Sequence, residues 1–223
     1  MSKGNSLFFY NPFTKAVIKL PDLPRQDFGY SYRGIAFSSL PTCSDCVVFA
    51  IRTYVLDKVH ISSIKRGKGK WTIKILDNVY LRPNRTNMRF EPSFNSPIFY
   101  DGAFYCLDLN GTLGVFTLEN NGTKWEVLSM VPQPNCHSIY SSYLVELEGE
   151  LLSILLGHSG EWVRCFRLDL AETIWSEVEH LGRQALFISN TSCTAAIARL
   201  VKWRTKLIED TLPYLRSQDI LLN

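Results

Sequence analysis

Tyr100-Asp101-Gly102-Ala103-Phe104 and Leu147-Glu148-Gly149-Glu150-Leu151 each place an acidic-Gly pair between apolar runs, 47 residues apart (102 to 149). Such a pair supplies the positive φ that a tight hairpin needs and that a β-branched residue resists. Each copy then reaches a second turn, Asn110-Gly111 in one and His158-Ser159-Gly160 in the other. A strand follows (Leu113–Leu118; Trp162–Leu168), then a polar turn, then a tryptophan, Trp125 or Trp175. That makes about four strands per copy, the number in a propeller blade.

Working outward, Trp71 extends the pattern towards the N-terminus. The intervals are 54 residues (71 to 125) and 50 residues (125 to 175). A period of about 40–50 residues made of short strands and turns signals blades, which bury their faces only against neighbours. Trp71, Trp125, Trp175, Gly102 and Gly149 are therefore assigned as structural repeat positions. The competing reading is a β-sandwich of unrelated hairpins.

Leu7–Tyr10 reads as a first strand, Asn11–Lys15 as its turn and Ala16–Leu20 as the return. The next blade takes Tyr32–Ser38, Cys46–Thr53, Val55–Ile64 and Trp71–Leu76, with Lys65-Arg66-Gly67-Lys68-Gly69-Lys70 as a turn. Its four positive charges match no phosphate loop, because no helix and no Ser/Thr follow at the right spacing, so it reads as a solvated hairpin tip. Tyr80–Asn95 reads as a long inter-blade loop. Further blades run from about Ser96 to Val131 and from Ser141 to Val178, and Ala185–Ser189 opens another.

The pattern then changes. From Ala195 to Leu212 the apolar residues Ile197, Leu200, Val201, Leu207, Ile208 and Leu212 take helical spacing, and Pro213 ends the run. The expected organisation is a partial propeller over 1–194 and a divergent helical tail over 195–223, with the strand at Ala185 left without evident partners.

Hydrophobic residues make up 46% of the chain and charged residues 20%, as in an ordinary folded domain. A formal charge of +3, from 24 basic and 21 acidic residues, is too small to imply nucleic acid or an anionic membrane. No apolar run is long enough to span a bilayer and no secretory signal opens the chain, so the expected location is intracellular, cytoplasmic or nuclear.

Little in the sequence converges on chemistry. Cys43-Ser44-Asp45-Cys46 has no second pair at zinc spacing, and the other four cysteines read as small buried hydrophobes. His60, His137, His158 and His180 are isolated, and no nucleophile elbow, zincin or dinucleotide motif occurs. Asp101, Asp108 and Glu148 are the acids a propeller enzyme would draw on, but turn chemistry explains those beside glycines. The sequence therefore predicts no catalytic residue, no cofactor and no metal.

Several segments resemble the plant F-box/kelch-repeat family in its kelch-like propeller region. They are Leu7–Thr14 closing in Lys19-Leu20-Pro21-Asp22-Leu23-Pro24; Pro97–Leu107; and Cys165–Leu170 with Trp175-Ser176-Glu177-Val178 and Leu181–Ile188. The resemblance covers about residues 5–194 and implies an all-β fold: an incomplete kelch-like propeller of about three to four blades of antiparallel four-stranded sheets, with a short C-terminal helix. It also implies a protein-interaction module like the substrate-recognition propeller of a ubiquitin-ligase receptor. The partner would be a protein substrate, with a Skp-type adaptor only where an F-box is supplied upstream. The chain begins within the opening propeller segment, which leads to the expectation that it is truncated and does not join a ligase alone. The alternatives are a propeller enzyme acting on a sugar or alcohol, and a non-functional remnant.

Overall fold

A computed structural model describes residues 7–23, 32–54, 57–81, 87–94, 97–108, 111–119, 122–128, 139–182, 184–189, 193–197 and 220–222. Three antiparallel four-stranded meanders dominate it. The first comprises β3 (Gly34–Phe37), β4 (Val47–Tyr54), β5 (Lys58–Lys65) and β6 (Thr72–Asp77), and follows the two-stranded hairpin of β1 (Phe8–Tyr10) and β2 (Val17–Lys19). The second comprises β9 (Ile98–Tyr100), β10 (Ala103–Leu107), β11 (Leu113–Glu119) and β12 (Gly122–Leu128). The third comprises β13 (Ile139–Leu147), β14 (Glu150–Gly157), β15 (Val163–Asp169) and β16 (Ile174–Glu177).

The local turn chemistry explains why these meanders form. Asp101 (φ 43°) and Gly102 (φ 80°) join β9 to β10, and Glu148 (φ 53°) and Gly149 (φ 80°) join β13 to β14. Two consecutive positive φ values make the two-residue turn whose twist suits adjacent strands. The flanking pairs are Tyr100 with Ala103 and Leu147 with Glu150, so the two hairpins share one register.

Strand alternation then fixes which blade each side chain meets. On β10, Phe104 and Cys106 join the core shared with the first meander, while Ala103, Tyr105 and Leu107 join the core shared with the third. On β14, Leu151 and Leu155 face back towards the second meander, and Leu152, Ile154 and Leu156 face forward. Both strands are therefore buried on two sides, and their apolar runs are near-continuous. Phe49 and Phe104 stack across the first gap, 4.7 Å apart and 12° from parallel. The first strands β3, β9 and β13 lie side by side and the meanders radiate from that line. Stacked, radiating four-stranded sheets are the architecture of a β-propeller.

Two regions depart from the sequence reading. The segment expected as a loop over Tyr80–Asn95 contains a hairpin, β7 (Val79–Leu81) with β8 (Asn87–Arg89), within its described part. Asn78 and Phe90 close it: the Phe90 N–H donates to the Asn78 carbonyl (2.8 Å), and Asn78 Nδ2 donates to the Phe90 carbonyl (3.1 Å). Three-residue strands carry too few alternations to register as a pattern, but Tyr80 and Phe90 are buried in the first inter-blade core.

The second departure is at the tail. Ala195–Ile197 is the end of a strand, β18 (Cys193–Ile197), rather than the start of a helix, so the boundary expected at 194/195 falls inside it. The strand expected to lack partners, β17 (Gln184–Ile188), has two: β18 on one side and β19 (Ile220–Leu222) on the other. β18 also lies against β13. Leu186 and Ile188 bury β17 against the third meander, and pairing with that fixed strand outweighs the helical spacing that begins at Ala195. Residues 198–219, which hold the rest of the expected helix, lie outside the described residues.

Candidate interaction surface

The repeat tryptophans sit on or beside the outermost strand of each meander. Trp125 opposes Phe116 and Trp175 opposes Leu168, while Trp71 immediately precedes β6. Each is directed at the element before its own sheet. Trp175 donates its indole N–H to the Gly111 carbonyl at 2.8 Å, and Trp71 donates to the Pro21 carbonyl at 3.0 Å. Trp125 instead meets the Phe90 ring edge-on, 5.4 Å between centroids. Its indole also covers Gly114 so closely that a Cβ there would lie 2.2 Å from a ring carbon. Trp162, outside the sequence-assigned set, covers Gly157 in the same way, with the indole nitrogen 2.3 Å from the Cβ position.

The acids considered for catalysis are set apart. Asp101 and Glu148 form the tips of two different hairpins. Asp108 is buried at the far end of β10, about 17 Å of strand away from Asp101. It serves a turn: its Oδ1 accepts from the Thr112 N–H at 2.8 Å, and Tyr80 bonds the Thr112 hydroxyl at 3.1 Å. The histidines are scattered too: His60 is buried on β5, His158 stands edge-on to Tyr140 in a 3-10 turn, and His180 is exposed after β16. His137 lies outside the described residues. Cys46 is buried with its thiol on the Ser39 carbonyl, and burial pushes the thiols of Cys165 and Cys193 up to about 11 and about 12. Among the described residues, no group of three potential metal ligands converges.

One polar cluster is buried in the first meander. Arg52 of β4 pairs with His60 of β5, and Tyr32 covers both, with its ring 5.4 Å from the Arg52 guanidinium and its hydroxyl 2.9 Å from Ser62 Oγ. Burial, reinforced by the Arg52 charge, lowers the His60 pKa to about 4, so the imidazole is neutral at physiological pH.

The outer rim beside this meander carries a run of exposed cations. The β5–β6 turn exposes Lys65, Arg66, Lys68 and Lys70 and is shaped by Gly67 at φ 79°. It is anchored, not free: the Arg66 N–H donates to the Cys46 carbonyl at 2.8 Å, and the Arg66 guanidinium bonds the Pro41 carbonyl. The Trp71–Pro21 bond ties the same turn to the segment leaving β2, and Phe9 of β1 packs edge-on against Phe37 of β3, 5.3 Å between centroids. The basic run was legible in the sequence. Its juxtaposition with the β1–β2 hairpin was not, because it depends on partners 50 and 25 residues away.

Radiating four-stranded blades, with tryptophans reaching the element before each sheet, define a β-propeller scaffold. The chain belongs to the KIB1-4 β-propeller family, whose profile matches residues 1–203. It is similar to an F-box/kelch-repeat protein of Arabidopsis thaliana, 33% identical over 199 residues that cover 86% of this chain and 52% of that protein. An F-box protein of the same plant is 28% identical over 187 residues (83% and 47%), and another F-box/kelch-repeat protein is 27% identical over 198 residues (85% and 48%). The chain spans about half the length of these relatives. No helix among the described residues is long and apolar enough to cross a membrane.

Proposed function

We propose that this chain is a protein-interaction module, the substrate-recognition propeller of an F-box ubiquitin-ligase receptor, acting inside the cell without catalysis of its own. The observation that carries this reading is the match of residues 1–203 to one propeller family, in a chain whose relatives are named F-box and F-box/kelch-repeat proteins. The physical logic agrees. Blades held by buried aromatics make a stiff support, so turns presented on it lose little conformational freedom when a partner binds. Capture of a protein to be ubiquitinated falls to the propeller, and joining a Skp-type adaptor falls to an F-box supplied upstream.

The test is affinity capture from plant cells in which the proteasome is inhibited, using this chain alone and this chain fused behind an F-box. The expected result is that both capture the same proteins, while only the fusion retains the adaptor and raises ubiquitin on the captured set. Adaptor binding at full stoichiometry by the chain alone, or capture without any change in ubiquitin, would overturn the reading.

A further inference from the structure

We propose that the outer rim formed by the β1–β2 hairpin, the turn after β3 and the β5–β6 turn docks an acidic protein segment bearing large apolar side chains. The proposal rests on the interaction reading above and names the chemistry of the partner.

The first observation is how the cations are distributed. Most other described cations are matched: Arg89 pairs with Asp57 at 2.9 Å, Lys124 with Glu126 at 2.7 Å, Arg164 with Glu177 at 2.6 Å and Arg167 with Glu150 at 2.8 Å, while Lys58 pairs with Asp77 and Arg33 lies over the Phe94 ring. Lys74, on β6 of the first meander, has no ion pair among the described residues. Lys65, Lys68 and Lys70 on the tip, and Lys15 and Lys19 on the hairpin, make no ion pair among the described residues. Five lysines against two acids of the same segments, Asp22 and Asp45, thus leave an excess of positive charge on this rim, in a chain whose formal charge is only +3.

The second observation is apolar. Phe8 (59% exposed) and Tyr10 (54%) stand on the outward face of β1, Phe8 directly opposite Lys19. Phe37 (47%) ends β3, and Leu40 (68%) follows on the adjoining turn, next to the Pro41 carbonyl that Arg66 holds. Scattered exposed apolar residues are ordinary, but large ones gathered beside a lysine cluster mark an interaction site. The three anchoring contacts already described, Trp71–Pro21, Arg66–Pro41 and Phe9–Phe37, hold these pieces together before any partner arrives.

The charge decides the sign of the partner and the apolar residues decide its class. Nucleic acid is favoured by arginine forks and by aromatics on which bases stack. Here the exposed cations are mainly lysines, the one arginine of the tip is engaged with a carbonyl, and the exposed rings of Phe8, Tyr10 and Phe37 are interleaved with Leu40 and Val17, which offer no stacking face. An acidic segment with Leu or Phe spaced along it satisfies both halves of the surface.

The test is fluorescence anisotropy with the full chain and four labelled probes. These are a peptide alternating Glu with Leu and Phe, its Lys-for-Glu counterpart, a poly-Glu peptide and an oligo-dT strand. The expected result is binding of the first probe alone, weakened by salt. The triple variant Lys65→Glu/Lys68→Glu/Lys70→Glu should lower its affinity by about tenfold or more, and Leu40→Ser should lower it less. All three lysines and Leu40 are exposed, so an unchanged melting curve is expected for both variants. Equal affinity of the triple variant, equal binding of poly-Glu, or preferential binding of oligo-dT would each overturn the proposal. Cellular capture that survives the triple variant would sink this surface and leave the receptor reading standing. Peptide binding without cellular capture would do the reverse.

Discussion

The indole N–H of Trp175 reaches 2.8 Å across an inter-blade gap to the carbonyl of Gly111, 64 residues earlier in the chain. The bond joins the outermost strand of one meander to the β10–β11 turn of the meander before it. Trp125 occupies the matching register on β12, opposite Phe116 as Trp175 is opposite Leu168, yet its buried indole nitrogen has no hydrogen-bond partner among the described residues. The same residue at the same blade position therefore stabilises two gaps differently, one by packing and a hydrogen bond, the other by packing alone.

That difference is measurable. Trp175→Phe and Trp125→Phe lose similar ring area, but only the first loses a hydrogen bond and leaves a carbonyl wanting. Trp175→Phe should be the more destabilising by about 1 kcal/mol, and Trp175→Ala should cost about 3–5 kcal/mol. Urea denaturation of the three variants decides it; equal midpoints for the two phenylalanine variants would show that the Gly111 contact contributes nothing.

Gly114 is required by a close approach and not by its backbone angle. A methyl there would meet the Trp125 ring at 2.2 Å and Phe90 at 2.9 Å, so Gly114→Ala should cost about 1–3 kcal/mol. Gly69→Ala meets nothing within 4 Å and should be close to neutral. Thermal melts of this pair separate overpacking from a general effect of adding a side chain.

Gly102 and Gly149 make the opposite case. Open space surrounds both, but both sit at φ 80°, where an L side chain crowds its own backbone. Alanine at either should cost about 1–2 kcal/mol, and asparagine, which tolerates this region, should recover part of it. Equal melting of the alanine and asparagine variants would assign the loss to something other than φ.

Folding stability should fall as His60 titrates. Its pKa is near 6.5 in the unfolded chain and about 4 in the folded one, so between these values the unfolded state binds more protons. Stability is fully present above pH 6.5 and is lost as pH falls through 4, by up to about 3 kcal/mol. His60→Gln should flatten that segment of the profile. Unfolding free energies measured from pH 7 to pH 4 provide the check, and a parent profile as flat as that of the variant would contradict it.

Much of the fold was legible because its determinants are neighbours in the chain. Asp101-Gly102 and Glu148-Gly149 dictate tight turns through backbone sterics alone, and the 47-residue offset between them displays two blades. The β7–β8 hairpin was read as a loop because its three-residue strands gain their stability from Phe90 and Tyr80 entering a core built by Phe49, Phe104 and Phe116. Ala195–Ile197 has helical apolar spacing because that spacing runs along the chain, whereas the pairing of β18 with β17 lies across it.

The candidate surface divides the same way. The run Lys65–Lys70 is plain in the sequence and reads there as a solvated tip. Phe8, Tyr10 and Leu40 are equally plain, and nothing local connects them to it.

By itself, the sequence determined where this chain turns, which residues alternate into strands and how often the unit repeats, since φ preference and two-residue periodicity act over a few bonds. Only the tertiary structure decided which carbonyl each tryptophan finds, which short strands persist, and which lysines share a rim with exposed aromatics. Those outcomes depend on burial and hydrogen bonds between residues tens of positions apart, whose free energy appears only once the blades have stacked.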